Sequence, residues 1–166
     1  KIMVEMARRA PGKSPLSTPR KEGDVPEILS GYFEGKTTGT PLCAIIRNSN
    51  TKSKDYSKLK DVMRPGHADY TGVIRHNGFN DYRGGGHFSG RITTPLVFAG
   101  AICKQILESK GIVIAAHVNS IGNIKDKSFL ETDINDELLN SFKGKELPLI
   151  NTNLEASMRE EIMNAR

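Results

Sequence analysis

The chain has 166 residues, a net charge of +5, 37% hydrophobic and 26% charged residues, and only 6% aromatics with no Trp. That balance fits one soluble globular domain with a lean core. It excludes a membrane span, because the longest apolar stretch, 96–106, is interrupted by Gly100, Lys104 and Gln105. The opening Lys-Ile-Met-Val-Glu has no charged segment, apolar run and cleavage site of a signal peptide, so a cytoplasmic location is expected. Cys43 and Cys103 sit in apolar surroundings without a second Cys or His at ligand spacing, which predicts reduced core thiols.

In chain order, residues 1–9 alternate apolar and charged like the last turns of a helix, stopped by Ala10-Pro-Gly12. Residues 13–24 are rich in Ser, Thr, Pro, Lys and Arg, an exposed loop. Two β-like runs, 27–34 and 42–47, flank the turn chemistry of Gly35-Lys-Thr-Thr-Gly-Thr-Pro41 and predict an antiparallel pair. Residues 48–94 carry little periodicity but much Gly, Asn, Asp, Arg, Tyr and His, the composition of a long irregular functional segment. A helix over 95–110 follows, with a Thr cap, Pro95 at its first position and Gly111 as its stop. The apolar run 112–118 suits a buried strand. At the end, Thr152-Asn-Leu-Glu155 has the capping-box pattern, and Leu154, Met158 and Ile162 fall on one helix face.

Charge is uneven along the chain. Residues 1–91 hold sixteen Lys/Arg against nine Asp/Glu, and residues 92–166 hold eight against ten, so +7 is followed by −2. A basic half either faces an anion or forms a solvated face. Three clusters sharpen the first alternative. Arg8, Arg9, Lys13, Arg20 and Lys21 place five cations within fourteen residues, and guanidinium forks suit carboxylate or phosphate. In Arg64-Pro-Gly-His-Ala-Asp69 the Pro-Gly turn presents His67 beside Arg64 and Asp69, an arrangement for acid/base work or a structural His. In Asp81-Tyr-Arg-Gly-Gly-Gly-His-Phe-Ser-Gly-Arg91 three glycines allow close backbone approach, Arg83 and Arg91 bracket them, and Phe88 offers a flat face. The P-loop and Gly-x-Gly-x-x-Gly fingerprints both fail there. His76 and His117 read as structural. No His, Cys or carboxylate pair has metal spacing, so no metal is expected, and no Gly-x-Ser-x-Gly nucleophile occurs.

An ordered series of segments resembles the chorismate synthase family: Arg8-Arg9-x-Pro-Gly, Thr18-Pro-Arg-Lys-Glu22, Ile28-Leu-Ser-Gly31, Phe33-Glu-Gly-Lys-Thr-Thr-Gly-Thr-Pro41, Ser53-Lys-Asp-Tyr56, Arg64-Pro-Gly-His-Ala-Asp-Tyr70 and Asp81-Tyr-Arg-Gly-Gly-Gly86. The resemblance implies an α+β chain, part of a β-α-β sandwich with helices packed between antiparallel sheets, assembled as a homotetramer. It implies a 1,4-anti elimination of phosphate from 5-enolpyruvylshikimate 3-phosphate with reduced FMN and no net redox change, and no nucleic-acid or membrane partner. It carries a substrate- and NADP-binding role to Arg9, a catalytic role to His67, and FMN contacts to His87, Phe88 and Ser89. The family's usual text after the triple glycine differs, so only Ser89, Arg91 and Thr93 carry over by identity, and His87 and Phe88 by position. The family's Gly-Glu-Ser-His-Gly segment and its later flavin contacts have no counterpart, so residues 1–166 are expected to be a central portion, inactive alone. The competing expectation is an anion-binding or basic nucleic-acid-binding module without catalysis.

Overall fold

The protein is described by a computed structural model for residues 1–49 and 53–166; residues 50–52 of the expected irregular segment lie outside the described residues. The chain divides into two compact units, Lys1–Pro19 with Gly100–Arg166, and Arg20–Ala99. Both helices and small antiparallel sheets are present, so the α+β expectation holds.

Helix α1, Ile2–Arg9, ends where expected, because Ala10 before Pro11 turns to extended backbone (ψ 133°). Its Met6 is fully buried. In the second unit the expected hairpin is an antiparallel pair of β1, Pro26–Ser30, with the later β4, Cys43–Ile46. The register slips between Ile28 and Ser30, a bulge. A smaller ribbon of β2, Tyr32–Phe33, and β3, Lys36–Thr37, fills the connection. Its two-residue turn, Glu34-Gly35, has positive φ at both positions (44° and 84°), the primed geometry that matches strand twist. Gly31 is obligatory beside it: φ is +78°, and a Cβ there would lie 2.6 Å from the Leu42 Cα. Alternation leaves Ile28 and Ala44 half-buried while Leu29 and Ile45 face outward. Cys43 lies on that outward side and is exposed, as is Cys103, so the core-thiol reading is corrected; both are free.

The segment expected to be irregular is largely helical turns. It contains a 3-10 helix over Ser53–Lys60, α2 over Asp69–Arg75, and further 3-10 turns over Arg83–Phe88 and Gly90–Ile92. Helix α3 runs Thr93–Glu108, two residues earlier than read from Pro95, since the Thr93 and Thr94 hydroxyls donate to the Gly90 and Arg91 carbonyls and close its first turn. Gly111 (φ 73°) follows its end.

The first unit completes with β5, Ser120–Ile121, paired to β6, Ile124–Lys125, then α4, Asp136–Ser141, and α5, Glu155–Asn164. Leu147, Leu149 and Met158 form its core, with Leu16, Val118, Ile121, Ile124 and Leu154 packed on them. Thus α5 buries the predicted face. Its start differs: the side chain of Asn151 accepts from the Asn153 amide, and the capping box forms instead at Ser128 and Glu131. Residues 112–118 are a second correction. Among the described residues they join no ladder, and Ile112 and Ile114 stay about half exposed: the Ile112 amide turns back to the Leu107 carbonyl (3.0 Å) at the end of α3, and the Val118 amide donates to the Pro148 carbonyl (2.8 Å).

One buried acid ties this unit together. The Asp126 carboxylate accepts from the backbone amides of Lys127 (2.8 Å), Ile150 (2.7 Å) and Asn151 (3.0 Å). Asp126→Ala is expected to orphan these donors and destabilise the protein by about 3 kcal/mol or more, at ~1–3 kcal/mol per buried unsatisfied group. Urea unfolding measures this; a midpoint equal to wild type would refute it.

Candidate functional site

The most organised polar cluster lies in the second unit and is built from the Arg64–Asp69 segment. Pro65 and Gly66 occupy the middle of a turn closed by the His67 amide donating to the Arg64 carbonyl (3.3 Å), with Gly66 at φ +70°. Pro followed by a positive-φ Gly is the type II requirement. The turn delivers His67 immediately before α2, whose first residue is Asp69. Instead of capping the helix, the Asp69 carboxylate folds back and is gripped by Arg64: Nε to Oδ2 at 2.8 Å, Nη2 to Oδ1 at 3.0 Å, and the Arg64 backbone amide to Oδ2 at 3.0 Å. His67 Nδ1 lies 2.6 Å from Asp69 Oδ1.

Two other segments reach the same cluster. The Arg64 guanidinium stands 5.9 Å from the centre of the Tyr56 ring, and the Tyr56 hydroxyl accepts from Arg20 (3.2 Å). Residues far apart in sequence, Arg20, Tyr56, Arg64, His67 and Asp69, are therefore linked in one chain of contacts.

Helix α2 also connects His67 to the glycine-rich segment. Gly72, buried one turn after Asp69, lies under the Phe88 ring, and a Cβ at Gly72 would come 2.5 Å from Phe88 Cε2. The His76 ring at the end of α2 flanks the same phenyl at 6.5 Å. Phe88 remains 36% exposed, and His87 is exposed beside it. Ser89 is half-buried, and its Oγ accepts from the Arg91 amide (3.2 Å) to cap the next turn. The structure thus places His67 in the turn before α2 and packs Phe88 against the same short helix at Gly72. Arg9, half-buried at the end of α1, belongs to the other unit.

The bracketing arginines are not where a ligand phosphate would find them unengaged. Arg83 is held bidentately by Asp81 (2.9 and 2.8 Å). The guanidinium of Arg91 pairs with Glu22 and with the fully buried Asp24 (3.1 Å), and donates to the Arg47 carbonyl (3.1 Å). Arg91 is a structural brace, needed because a buried carboxylate without a cation is costly. The signal was present in the acids of Thr18-Pro-Arg-Lys-Glu-Gly-Asp24, but a partner 67 residues away is invisible to local reading. Gly72 was missed for a similar reason. His117 is structural as expected, stacked on Phe129 (4.3 Å between centroids) with Nε2 2.8 Å from the Lys127 carbonyl. The first unit holds a cavity of about 540 Å³ between α1 and the end of α3, lined by Val4, Ala7 and Ala101 with the Glu5–Lys104 pair, but Arg9 does not line it.

Comparison with known proteins decides the family. The family model described as chorismate synthase matches residues 1–166, the whole chain. The chain belongs to the chorismate synthase family. It is 46% identical over 172 residues to a chorismate synthase of Methanococcus aeolicus, covering 99% of this chain and 46% of that protein. It is 42% identical over 184 residues to chorismate synthases of Francisella tularensis subsp. novicida and subsp. tularensis, covering 98% of this chain and 52% of each. The chain spans about half the length of these relatives. Among the described residues no helix is long and apolar enough to cross a membrane, and no group of His, Cys, Asp and Glu is arranged to hold a metal ion.

Two outcomes follow from this geometry in a chorismate synthase relative. Gly72→Ala is expected to push the Phe88 ring off α2, although Ala favours the helix by about 1 kcal/mol; shifted aromatic NMR signals of Phe88 and His76 report it, and unchanged signals would contradict it. The Asp69 carboxyl is held far below the ordinary carboxylate value of 3.8, first by the Arg64 side-chain bonds, opposed by desolvation and helped by the Arg64 amide and the nearby positive charges. A depressed value means the stabilisation is complete above the ordinary value and is lost as the pH falls through the lower one. The stability difference between wild type and Asp69→Asn should therefore shrink as the pH falls below the ordinary carboxylate value, read from urea midpoints against pH.

Proposed function

We propose that these 166 residues form a central portion of a chorismate synthase catalytic domain, within a β-α-β sandwich and a homotetrameric cytoplasmic enzyme. The reaction is the 1,4-anti elimination of phosphate from 5-enolpyruvylshikimate 3-phosphate to chorismate: the C–O bond to phosphate breaks, a ring proton leaves, and a second ring double bond forms. The observation that carries this reading is the family membership together with the convergence of three of its signature segments, at Arg20, Tyr56 and Arg64–Asp69, around His67.

Reduced FMN combines a phosphate with a flat ring, and two neighbouring side chains suit it: the partly exposed Phe88 ring and the exposed imidazole of His87. When bound, reduced FMN supplies transient electron density to the eliminating system. In this reading His87, Phe88 and Ser89 seat the flavin, and the Ser89 hydroxyl keeps a proton to donate while its oxygen caps the following turn. Arg9, carried at the C-terminal end of α1, holds a carboxylate or phosphate of the substrate, or of NADP where a relative uses it. His67 moves a proton near the flavin. Arg64, Arg83 and Arg91 are all paired with acids of the same chain, which speaks against a continuous basic face for nucleic acid.

With about half of its relatives' length, the chain alone is expected not to turn over. The test is anaerobic incubation with 5-enolpyruvylshikimate 3-phosphate and dithionite-reduced FMN, following chorismate absorbance and phosphate release. The 166 residues are expected to give no chorismate, and a protein of the relatives' full length carrying them is expected to give it. In that longer protein His67→Ala should lose about 100-fold or more, the scale of acid–base assistance. Near-normal turnover would remove His67 from the mechanism, and chorismate from the chain alone would show that the remaining half is dispensable.

A further inference from the structure

The cavity of about 540 Å³ in the first unit has no part in the reaction proposed above, since Arg9 does not line it and His67 and Phe88 belong to the other unit. Its volume suits a small molecule, for which sites span about 300–1,000 Å³. The wall is mainly apolar, with Val4 and Ala7 from α1 and Ala101 from α3. Its charged groups differ in how far they are committed. Glu5 and Lys104, with side chains only 21% and 25% exposed, neutralise one another at 2.7 Å. The more exposed cations are held loosely: Arg8 stands 3.5 Å from Glu5, and Lys1 and Lys143 stand 3.7 and 3.8 Å from Glu108. These are ion-pair distances without hydrogen bonds, so the side-chain donors of all three can turn to a ligand. Lys13 pairs with no acid among the described residues and donates to the Ala7 carbonyl at the end of α1 (2.7 Å). Five cations thus meet two acids around one concavity, an excess of three positive charges. A concave apolar wall focuses that field, and Lys and Arg can lay their stems along the wall while their heads reach for an anion.

We propose that this cavity is a binding site for a small organic anion: an apolar body of one or two rings lies against Val4, Ala7 and Ala101, and its phosphate or carboxylate is taken by Arg8, Lys1 and Lys143. A neutral apolar molecule would leave the positive field unanswered, and an inorganic anion would leave the apolar wall wet. Only a molecule with both parts satisfies both. The Glu5–Lys104 pair is already neutral, so the charged end of the ligand goes to the loosely held, more exposed cations. The site uses none of the residues assigned to the elimination, so it stands apart from the catalytic reading of His67.

The experiment is an amide NMR titration of the 166-residue chain with 1-naphthyl phosphate, run beside 1-naphthol and inorganic phosphate. The naphthyl phosphate is expected to shift the amides of Val4, Ala7, Ala101 and Gln105 and to bind about tenfold or more tightly than either of the other two. Arg8→Gln combined with Lys143→Gln should weaken it about fivefold, the scale of exposed ion pairs, and leave 1-naphthol unaffected. Unmoved amides of Leu149 and Met158 in the core report that the variant is folded; if it is not, the three-ligand comparison on wild type decides. Equal affinity for 1-naphthol would reduce the cavity to an apolar cleft, and equal affinity for inorganic phosphate would reduce it to a basic surface; either result overturns the proposal, as does the absence of shifts at the four residues. The same titration in a protein of the relatives' full length is expected to give the same affinity. Loss of binding there would mean that the other half of the protein fills the cavity, which also overturns it.

Discussion

The bidentate grip of Arg64 on Asp69 is the constraint on which the rest of the site depends. It ties the residue before a Pro-Gly turn to the first residue of α2, so it closes the turn and anchors the helix at once. Helix α2 needs such an anchor. Its seven residues, Asp-Tyr-Thr-Gly-Val-Ile-Arg, include a Gly and three β-branched residues, and so short a segment does not hold a helix by propensity. Hydrogen bonds to a charged group contribute about 1.5–3 kcal/mol each, enough to outweigh the roughly 1 kcal/mol that Gly72 costs. That cost has a return, since only a residue without a side chain lets the Phe88 ring lie on the helix.

The same logic separates what could be read along the sequence from what could not. The end of α1 at Ala10-Pro-Gly12, the β1–β4 pair, α3 with Gly111 beyond it and the buried face of α5 were all legible, because caps, prolines and periodicity act within a few residues. The His67–Asp69 neighbourhood was legible too, as Pro-Gly dictates its turn. Helix α2 was not, since what stabilises it is an ion pair and an aromatic contact rather than pattern. The run 112–118 has the composition of a buried strand, but composition cannot supply a neighbour to pair with. The cysteines failed for a related reason: apolar sequence neighbours do not decide which way a strand or helix side chain faces.

The basic character of the first ninety residues also changes meaning in three dimensions. Arg64, Arg83 and Arg91 each spend their charge on acids of the same unit, Asp69, Asp81 and the pair Glu22 and Asp24. Positive residues here are first a way of fixing loops that lack regular ladders, and only the cations left over bear on what binds. A guanidinium is suited to that work because its planar fork locks two groups in one geometry.

The unladdered run 112–118 carries one more consequence, for how this chain behaves in a tube. Seven consecutive mostly apolar residues that join no sheet among the described residues, with Ile112 and Ile114 about half exposed, are a template for edge-to-edge stacking of one molecule on another. At neutral pH the +5 charge keeps such edges apart. Toward the isoelectric point near 9.3 that repulsion falls away, so buffers close to that pH favour association along these edges.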